Sequence, residues 1–176
     1  MNTTTRQEVF LHPGDWHFGG RETVIRTLLG SCVSITLWHP RLLVGGMCHY
    51  LLARRNDRQE TRFSGRYGDE AMLLMLREVL ATGRPLKEFK AKLIGGAAVL
   101  SSIERDLPAH DVPARNIDMA RSLAQQLGLS VQAEDLGGNS PRVVLFDVES
   151  GDVWVKQSQE SELAEAAPSK TTRKKT

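Results

Sequence analysis

Both cysteines of the chain fall within residues 27–52, TLLGSCVSITLWHPRLLVGGMCHYLL, together with two of its five histidines. A cysteine acts as a nucleophile through its thiolate, so it needs a nearby base or a positive field, and enough exposure for a substrate to reach it. An imidazole is the most common base in such sites. The stretch therefore indicates a thiol–imidazole pair, a metal site, or a buried hairpin that happens to contain sulfur.

The same stretch has the pattern of a β-hairpin with its turn at HPRL, where Pro40 has the fixed φ that a turn position requires. A turn centred there places Cys32 opposite His49, and directly opposed side chains lie about 4.5–5.5 Å apart at Cβ. Successive strand residues point to opposite faces, so Cys48 and His49 should face apart. We therefore expect Cys32 and His49 to form the reactive pair, and Cys48 to be a small core residue.

The residues before Cys32 favour an oxyanion site. Gly30 permits backbone conformations that other residues avoid, and we expect N–H groups from Gly30 through Ser31 to Cys32 to be free to stabilise an oxyanion. A metal site made by the two cysteines with His39 and His49 would lack the C-x2-C spacing that is typical of zinc sites. We expect no metal and no organic cofactor.

The remaining segments predict an α/β or α+β fold, with helices on a mostly antiparallel sheet. One helical segment is GDEAMLLMLREVLATG, and the other is RNIDMARSLAQQLG, with Asn116 in the N-cap position. The apolar face predicted for the first comprises Met72, Leu73, Leu76, Val79 and Leu80. Strands are predicted at CVSITLW, KLIGGAAVL (whose Gly pair suggests a bulge or close backbone packing), LSVQAED, RVVLFDV and VWVK.

The composition is that of one globular domain, since the 176 residues are 40% hydrophobic and 25% charged. The formal net charge of +2 gives no indication of nucleic-acid binding. No apolar run could span a membrane, and the polar N-terminus is unlike a signal peptide, so we expect a cytoplasmic protein without direct membrane insertion. Polar composition predicts a flexible tail over residues 157–176, after a domain over residues 1–156.

The motifs resemble those of the CheD-type chemoreceptor glutamine deamidases. TLLGSC, followed seventeen residues after its Cys by the His of GGMCH, is the strongest match. YGDEAMLLML, KAKLIGGAAVL, ARN, EDLGG and VESGDVWVK follow in the family's order, so the resemblance covers about residues 8–156. It implies a three-layer α/β/β sandwich with two main helices, Cys32 as the nucleophile, His49 as its base, and Thr27 as the residue that orients the imidazole.

The resemblance also implies hydrolysis of glutamine side chains to glutamate and ammonia, in the cytoplasmic helical region of methyl-accepting chemotaxis receptors. A CheC-like phosphatase is a further expected partner. Two other functions fit the same features: a non-enzymatic regulator that binds receptors or that phosphatase, and a thiol peptidase or transglutaminase-like enzyme. A mass gain of about 1 Da per glutamine would distinguish deamidation from cleavage and from binding alone.

Residues 53–68 form a long loop that contains five arginines. A loop of this length in a compact domain is usually functional or mobile. Because it directly follows the strand of His49, we hypothesise that Arg54, Arg55 and Arg58 steer a glutamate-rich receptor surface toward Cys32. The alternative is a solvated loop whose charges only aid solubility.

Overall fold

The computed structural model describes residues 5–56, 60–99 and 112–158 of the protein. Within these ranges the chain forms nine strands, two α-helices and one turn of 3-10 helix at Leu86–Glu88. In chain order the main elements are β1 Gln7–Leu11, β2 Trp16–Gly19, β3 Thr23–Leu29, β4 Val33–His39, β5 Val44–Cys48, α1 Gly68–Ala81, β6 Lys90–Gly95, α2 Val112–Leu127, β7 Ser130–Leu136, β8 Arg142–Asp147 and β9 Val153–Gln157.

The strands make two sheets, with the orders β1-β3-β8-β9 and β2-β5-β4-β6-β7. The β1–β3 and β6–β7 pairs are parallel, and the other five pairs are antiparallel. An apolar cluster that includes Ile25, Met47 and Phe146 lies between the sheets. A second cluster, including Ile35 and Met72, lies between the five-stranded sheet and the helices. The predicted three-layer α/β/β arrangement, with mostly antiparallel strands, is confirmed.

The loop of the β4–β5 hairpin is longer than the sequence predicted. His39 pairs with Val44, which leaves residues 40–43 as the loop. The buried Nδ1 atom of His39 accepts hydrogen bonds from two backbone N–H groups of this loop, at 3.3 and 3.1 Å. Leu43 adopts a left-handed φ of 52°. The loop is therefore stabilised by a buried imidazole rather than by the turn preference of the proline.

The longer loop shifts the pairing of the two strands by two residues. The antiparallel bridge that continues the hairpin joins Val33 to Tyr50, so the predicted direct opposition of Cys32 and His49 is wrong. Because the side-chain period of a strand is two, this shift leaves every side chain on its predicted face. Cys32 precedes β4 and packs against the cluster between the sheets, the side to which His49 also points, whereas Cys48 lies fully buried on the other side, in the cluster under the helices.

The helix α1 is present as predicted, but its buried face differs. It buries Met72, Met75 and Val79, whereas Leu73 and Leu80, which were expected on that face, are 43% and 75% exposed. Leucine and methionine occur on all sides of this segment, so their spacing alone does not define the face that packs.

The helix α2 begins at Val112, four residues before the predicted N-cap. Pro113 lies in its first turn, where a missing N–H costs nothing because those groups have no partner within the helix. The N-cap assignment of Asn116 is therefore wrong: this residue lies inside the helix and is fully buried.

Both ends of the domain extend beyond the predicted elements. The strands β1, β2 and β3 were not predicted, although β3 lies in the interior of the four-stranded sheet. At the other end, Gln157 pairs with Arg142, and the Ser158 N–H donates to the Pro141 carbonyl at 2.9 Å. The strand β9 thus ends one residue past the predicted boundary at residue 156. The rest of the predicted tail, from residue 159, lies outside the described residues.

Candidate active site

The backbone segment between β3 and β4 carries Cys32, and hydrogen bonds to its carbonyl groups hold it in place. Those of Gly30 and Cys32 accept hydrogen bonds from two successive N–H groups in the loop after β6, at 2.9 and 2.8 Å. The Ser31 carbonyl accepts one from the side-chain amide of Asn116 at 3.0 Å. Among the described residues no acceptor takes the N–H of Ser31 or of Cys32. Within the described ranges, these two amides therefore have no backbone acceptor.

The close packing around Cys32 requires glycine at positions 95 and 96, and not at position 30 as expected. Gly30 has a φ outside the left-handed region, and a Cβ there would make only an ordinary contact at 3.6 Å, so its predicted unusual backbone is not found. Gly95 and Gly96 have φ values of 116° and 71°. A Cβ on Gly95 would collide with the Cys32 carbonyl oxygen, and one on Gly96 would lie 2.5 Å from Ile117 Cγ1. Close backbone packing at this glycine pair is thus confirmed.

The imidazole of His49 is 1% exposed and is oriented through one nitrogen. Its Nδ1 atom lies 2.7 Å from Thr27 Oγ1, and that hydroxyl donates to the Leu11 carbonyl at 2.8 Å. A hydroxyl has a single hydrogen, so the Nδ1–H group must donate to Thr27. The Nε2 atom then carries the lone pair, and it has no hydrogen-bond partner among the described residues. In this tautomer the Nε2 atom can accept a proton.

Burial keeps the Cys32 thiol and the His49 imidazole uncharged. It lowers the pKa of His49 to about 4, although the Leu11 carbonyl and Asp15 act in the opposite direction. It raises the pKa of Cys32 to about 11. Near pH 7 the site therefore holds a neutral thiol and a neutral imidazole rather than an ion pair.

The fold brings Cys32, His49 and Thr27 to the same side of the five-stranded sheet. Cys32 is half-buried and packs against the cluster between the sheets, and His49 reaches across that space to β3. Extended by one residue, the register of the Val33–Tyr50 bridge would make Cys32 and His49 diagonal neighbours, which in an antiparallel pair lie roughly 7–8 Å apart. The Val33–Tyr50 bridge, with backbone bonds of 3.2 and 3.0 Å, keeps the two segments in register.

The four residues considered for a metal site do not converge. Cys48 faces the helices, on the opposite side of β5 from His49. The Nε2–H group of His39 donates to Glu88 at 2.8 Å. Within the ranges that the structure describes, no three His, Cys, Asp or Glu side chains are grouped as metal ligands.

The Arg55 side chain is held by intramolecular contacts and does not extend into solvent. Its guanidinium donates to both carboxylate oxygens of Glu70, at 2.9 and 2.8 Å, and to Glu60 at 2.8 Å. It also lies 4.7 Å from the ring centroid of Tyr67. These contacts tie the loop to the first turn of α1, so the steering role predicted for Arg55 does not fit. Arg58 lies outside the described residues.

Arg54, in contrast, lines an open cleft of about 370 Å³. The walls of this cleft come from Ala53, Arg54 and Asn56, and from Arg115, Asp118 and Met119 of α2. The cleft lies beside the segment that follows His49.

Asn116, predicted only as a helix N-cap, contacts the segment that carries Cys32 through its side chain. Its Nδ2 atom donates to the carbonyls of Ser31 and Leu51, at 3.0 and 2.8 Å. Asparagine is unfavourable inside helices because its side chain competes for backbone hydrogen bonds. The four residues before Asn116 can form a helical turn, and this pattern could have indicated that the helix begins earlier. Asn116 was interpreted as the N-cap instead.

A family model described as CheD chemotactic sensory transduction matches residues 51–157. A Chromobacterium violaceum protein named probable chemoreceptor glutamine deamidase CheD 1 is 68% identical over 168 residues, which are 96% of this chain and 86% of that protein. The chain belongs to the CheD family. The resemblance inferred from the motifs around Cys32 and His49 is confirmed.

Other relatives of this CheD-family chain bear similar names. A Dechloromonas aromatica protein named probable chemoreceptor glutamine deamidase CheD 3 is 47% identical over 148 residues, or 84% of this chain and 86% of that protein. A Pseudomonas fluorescens protein named probable chemoreceptor glutamine deamidase CheD is 42% identical over 160 residues, or 91% and 90%. Neither of the helices described in this family member is long and apolar enough to cross a membrane.

Among solved structures, the hypothetical protein YfiH of Bacillus licheniformis is similar with a TM-score of 0.39 and 12% identity. The similarity covers 69% of this CheD-family chain and 49% of that chain. A likeness of this size supports no conclusion about fold or function.

Proposed function

We infer that this CheD-family protein is a chemoreceptor glutamine deamidase, an amidohydrolase that converts glutamine side chains of chemoreceptors to glutamate and ammonia. The names of its relatives support the activity and the substrate class. The observation that carries the proposed chemistry is the unshared Nε2 atom of His49, held by Thr27 on the face that Cys32 shares.

In the proposed mechanism, Nε2 of His49 takes the proton of Cys32 as the sulfur attacks the carboxamide carbon of a glutamine. The carboxamide oxygen becomes an oxyanion, which the N–H groups of Ser31 and Cys32 stabilise. His49 then returns the proton to the departing nitrogen, so ammonia leaves and a thioester remains on Cys32. Nε2 next deprotonates a water molecule that attacks the thioester, which releases the glutamate side chain and the thiol.

The finer parts of the proposal concern partners and location. The family resemblance supports the cytoplasmic helical region of methyl-accepting receptors as the substrate, the cytoplasm as the location, and a CheC-like phosphatase as a second partner. Arg54 is the candidate for steering a glutamate-rich receptor surface, because it lines the cleft beside α2.

Incubation with the recombinant cytoplasmic fragment of a receptor, followed by peptide mass spectrometry, tests the function. We expect a gain of about 1 Da at particular glutamines, with one ammonia released for each. Cleavage of the receptor would support a thiol peptidase instead. Binding without any mass change would support a non-enzymatic regulator.

Substitutions then test the assigned roles. Cys32→Ala and His49→Ala should each lower kcat by about 10³-fold or more, because each removes a group that reacts. Thr27→Ala should have a smaller effect, since it misorients the imidazole without removing it. Cys48→Ala is the matched control and should retain most activity, because this thiol lies among the core residues under the helices. An inactive but folded Cys48→Ala variant, with Cys32→Ala active, would reverse the assignment.

A further inference from the structure

The side-chain amide of Asn116 joins the two segments that carry the reactive pair. Its Nδ2 atom has two hydrogens, and both are used: one bonds the Ser31 carbonyl at 3.0 Å and the other the Leu51 carbonyl at 2.8 Å. Ser31 directly precedes Cys32, and Leu51 follows shortly after His49. Asn116 is itself fully buried within α2, so a substrate does not contact it.

The bond to Ser31 fixes the orientation of a whole peptide group. The peptide that joins Ser31 to Cys32 is planar, and in the trans form its C=O and N–H point in opposite directions. A donor in α2 that holds the Ser31 C=O therefore turns the Cys32 N–H away from α2. The preceding peptide is fixed in the same way, because the Ala97 N–H donates to the Gly30 C=O at 2.9 Å.

The position of the thiol does not depend on this amide alone. The Val33–Tyr50 bridge joins the two segments by two backbone hydrogen bonds of its own, at 3.2 and 3.0 Å. Without the Asn116 amide, Cys32 stays in register with the segment of His49. The freedom gained is rotation of the peptide group that precedes Cys32.

We propose that Asn116 is a positioning residue for deamidation, which sets the direction of the Cys32 N–H as an oxyanion donor. The role rests on the proposed deamidase function. An oxyanion donor acts when the tetrahedral intermediate forms, so its loss lowers kcat and leaves KM nearly unchanged. Removal of one such donor costs about 10²–10³ in kcat, and a donor that is free to turn should cost about 10- to 100-fold.

Two reactions of the Cys32 thiol distinguish orientation of the Cys32 N–H by Asn116 from a purely structural role of Asn116. Alkylation of Cys32 by iodoacetamide needs a reactive sulfur but forms no oxyanion, whereas turnover needs both. In Asn116→Ala, kcat on a recombinant receptor fragment should fall about 10- to 100-fold. The KM, and the rate of Cys32 alkylation at about pH 9 measured by peptide mass spectrometry, should stay within about threefold of the wild-type values.

Tyr50→Phe is the matched control. It removes another buried hydrogen bond to the same residue, from the Tyr50 hydroxyl to the Asn116 backbone carbonyl at 2.5 Å, and leaves the Ser31 carbonyl untouched. It should lower the melting temperature yet keep kcat. If Asn116→Ala does not fold, Asn116→Ser, which keeps a hydroxyl donor, takes its place with the same expected separation of the two rates.

A parallel fall of turnover and alkylation in the Asn116 variants would overturn the proposal, because the defect would then lie in the thiol itself. An unchanged kcat in a folded variant would overturn it as well. A wild-type protein without deamidase activity is a different result, which would reject the proposed function and this role together.

Discussion

The side chains of the proposed reactive pair are held uncharged by burial, and this sets the pH range over which the proposed mechanism can operate. The pKa of His49 is lowered to about 4, and that of Cys32 is raised to about 11. A general-base mechanism requires a neutral imidazole and a protonated thiol. Both conditions hold at every pH between the two pKa values.

We therefore expect kcat/KM to stay nearly constant from about pH 5 to about pH 9, and to fall at lower pH as His49 takes up a proton. An imidazole with the ordinary pKa of about 6.5 would instead lose half of this activity at about pH 6.5. The measurement is ammonia release from a receptor fragment, with circular dichroism to check that enzyme and substrate are folded at each pH. A half-loss near pH 6.5 would contradict a buried neutral pair.

Among the elements, the loop after β6 contacts both the segment that carries Cys32 and the helix α2. Gly96 takes a φ of 71° in this loop, and its N–H donates to the Cys32 carbonyl at 2.8 Å. In Gly96→Ala the added Cβ would meet Ile117 Cγ1 at 2.5 Å. The left-handed backbone alone costs about 1–2 kcal/mol for a residue with a Cβ. We expect a further loss of stability from the collision, and a lower kcat because the loop moves away from Cys32.

Gly83→Ala separates the effect of backbone strain on stability from the effect of the collision with Ile117. Gly83 has a similar φ of 72°, but a Cβ there would have no neighbour within 4 Å. This variant should show the backbone strain alone and keep its kcat. Urea unfolding and receptor kinetics of both variants are the measurements. Equal losses in the two would mean that contact with α2 contributes nothing.

Local periodicity explains which parts of these elements could be predicted. The period of two in β4 and β5 was enough to place Cys48 and His49 on opposite faces, even though the register was wrong. The register depends on the His39 imidazole, which holds the hairpin loop through side-chain to backbone bonds. A sequence pattern gives no length for such a loop.

Long-range contacts explain what could not be predicted. Asn116 bonds carbonyls that are 85 and 65 residues away in sequence. Thr27 and His49 meet because β3 and β5 lie in different sheets that face each other. No periodicity within one segment records these partners, so Thr27 was found through family resemblance and Asn116 through the structure.

For the whole molecule, the buried imidazole links folding to pH. The pKa of His49 is about 4 in the folded protein and about 6.5 in an unfolded chain. As the pH falls between these values, the unfolded chain takes up a proton that the folded protein does not, so the free energy of unfolding decreases. The expected decrease is on the order of 3 kcal/mol, and this group has no effect above about pH 7.

Urea unfolding of the wild type and of His49→Gln, between about pH 7.5 and pH 4, measures this contribution. The variant should lose less stability over that range. Burial also lowers the pKa of His17, which is present in both proteins and therefore cancels in the comparison. An equally steep decrease in the variant would assign the acid sensitivity to other groups.

The placement of the two cysteines on opposite faces of one sheet also bears on oxidative damage. The chain has two cysteines, and Cys48 is fully buried on the helix side of β5. A sulfenic acid formed on Cys32 by peroxide therefore has no second thiol in the chain with which to condense. Its recovery depends on a thiol supplied from outside, such as glutathione, and further oxidation to the sulfinic acid is irreversible by simple thiols. Isolated from a reducing pool, the proposed nucleophile Cys32 would have no thiol in its own chain to restore it.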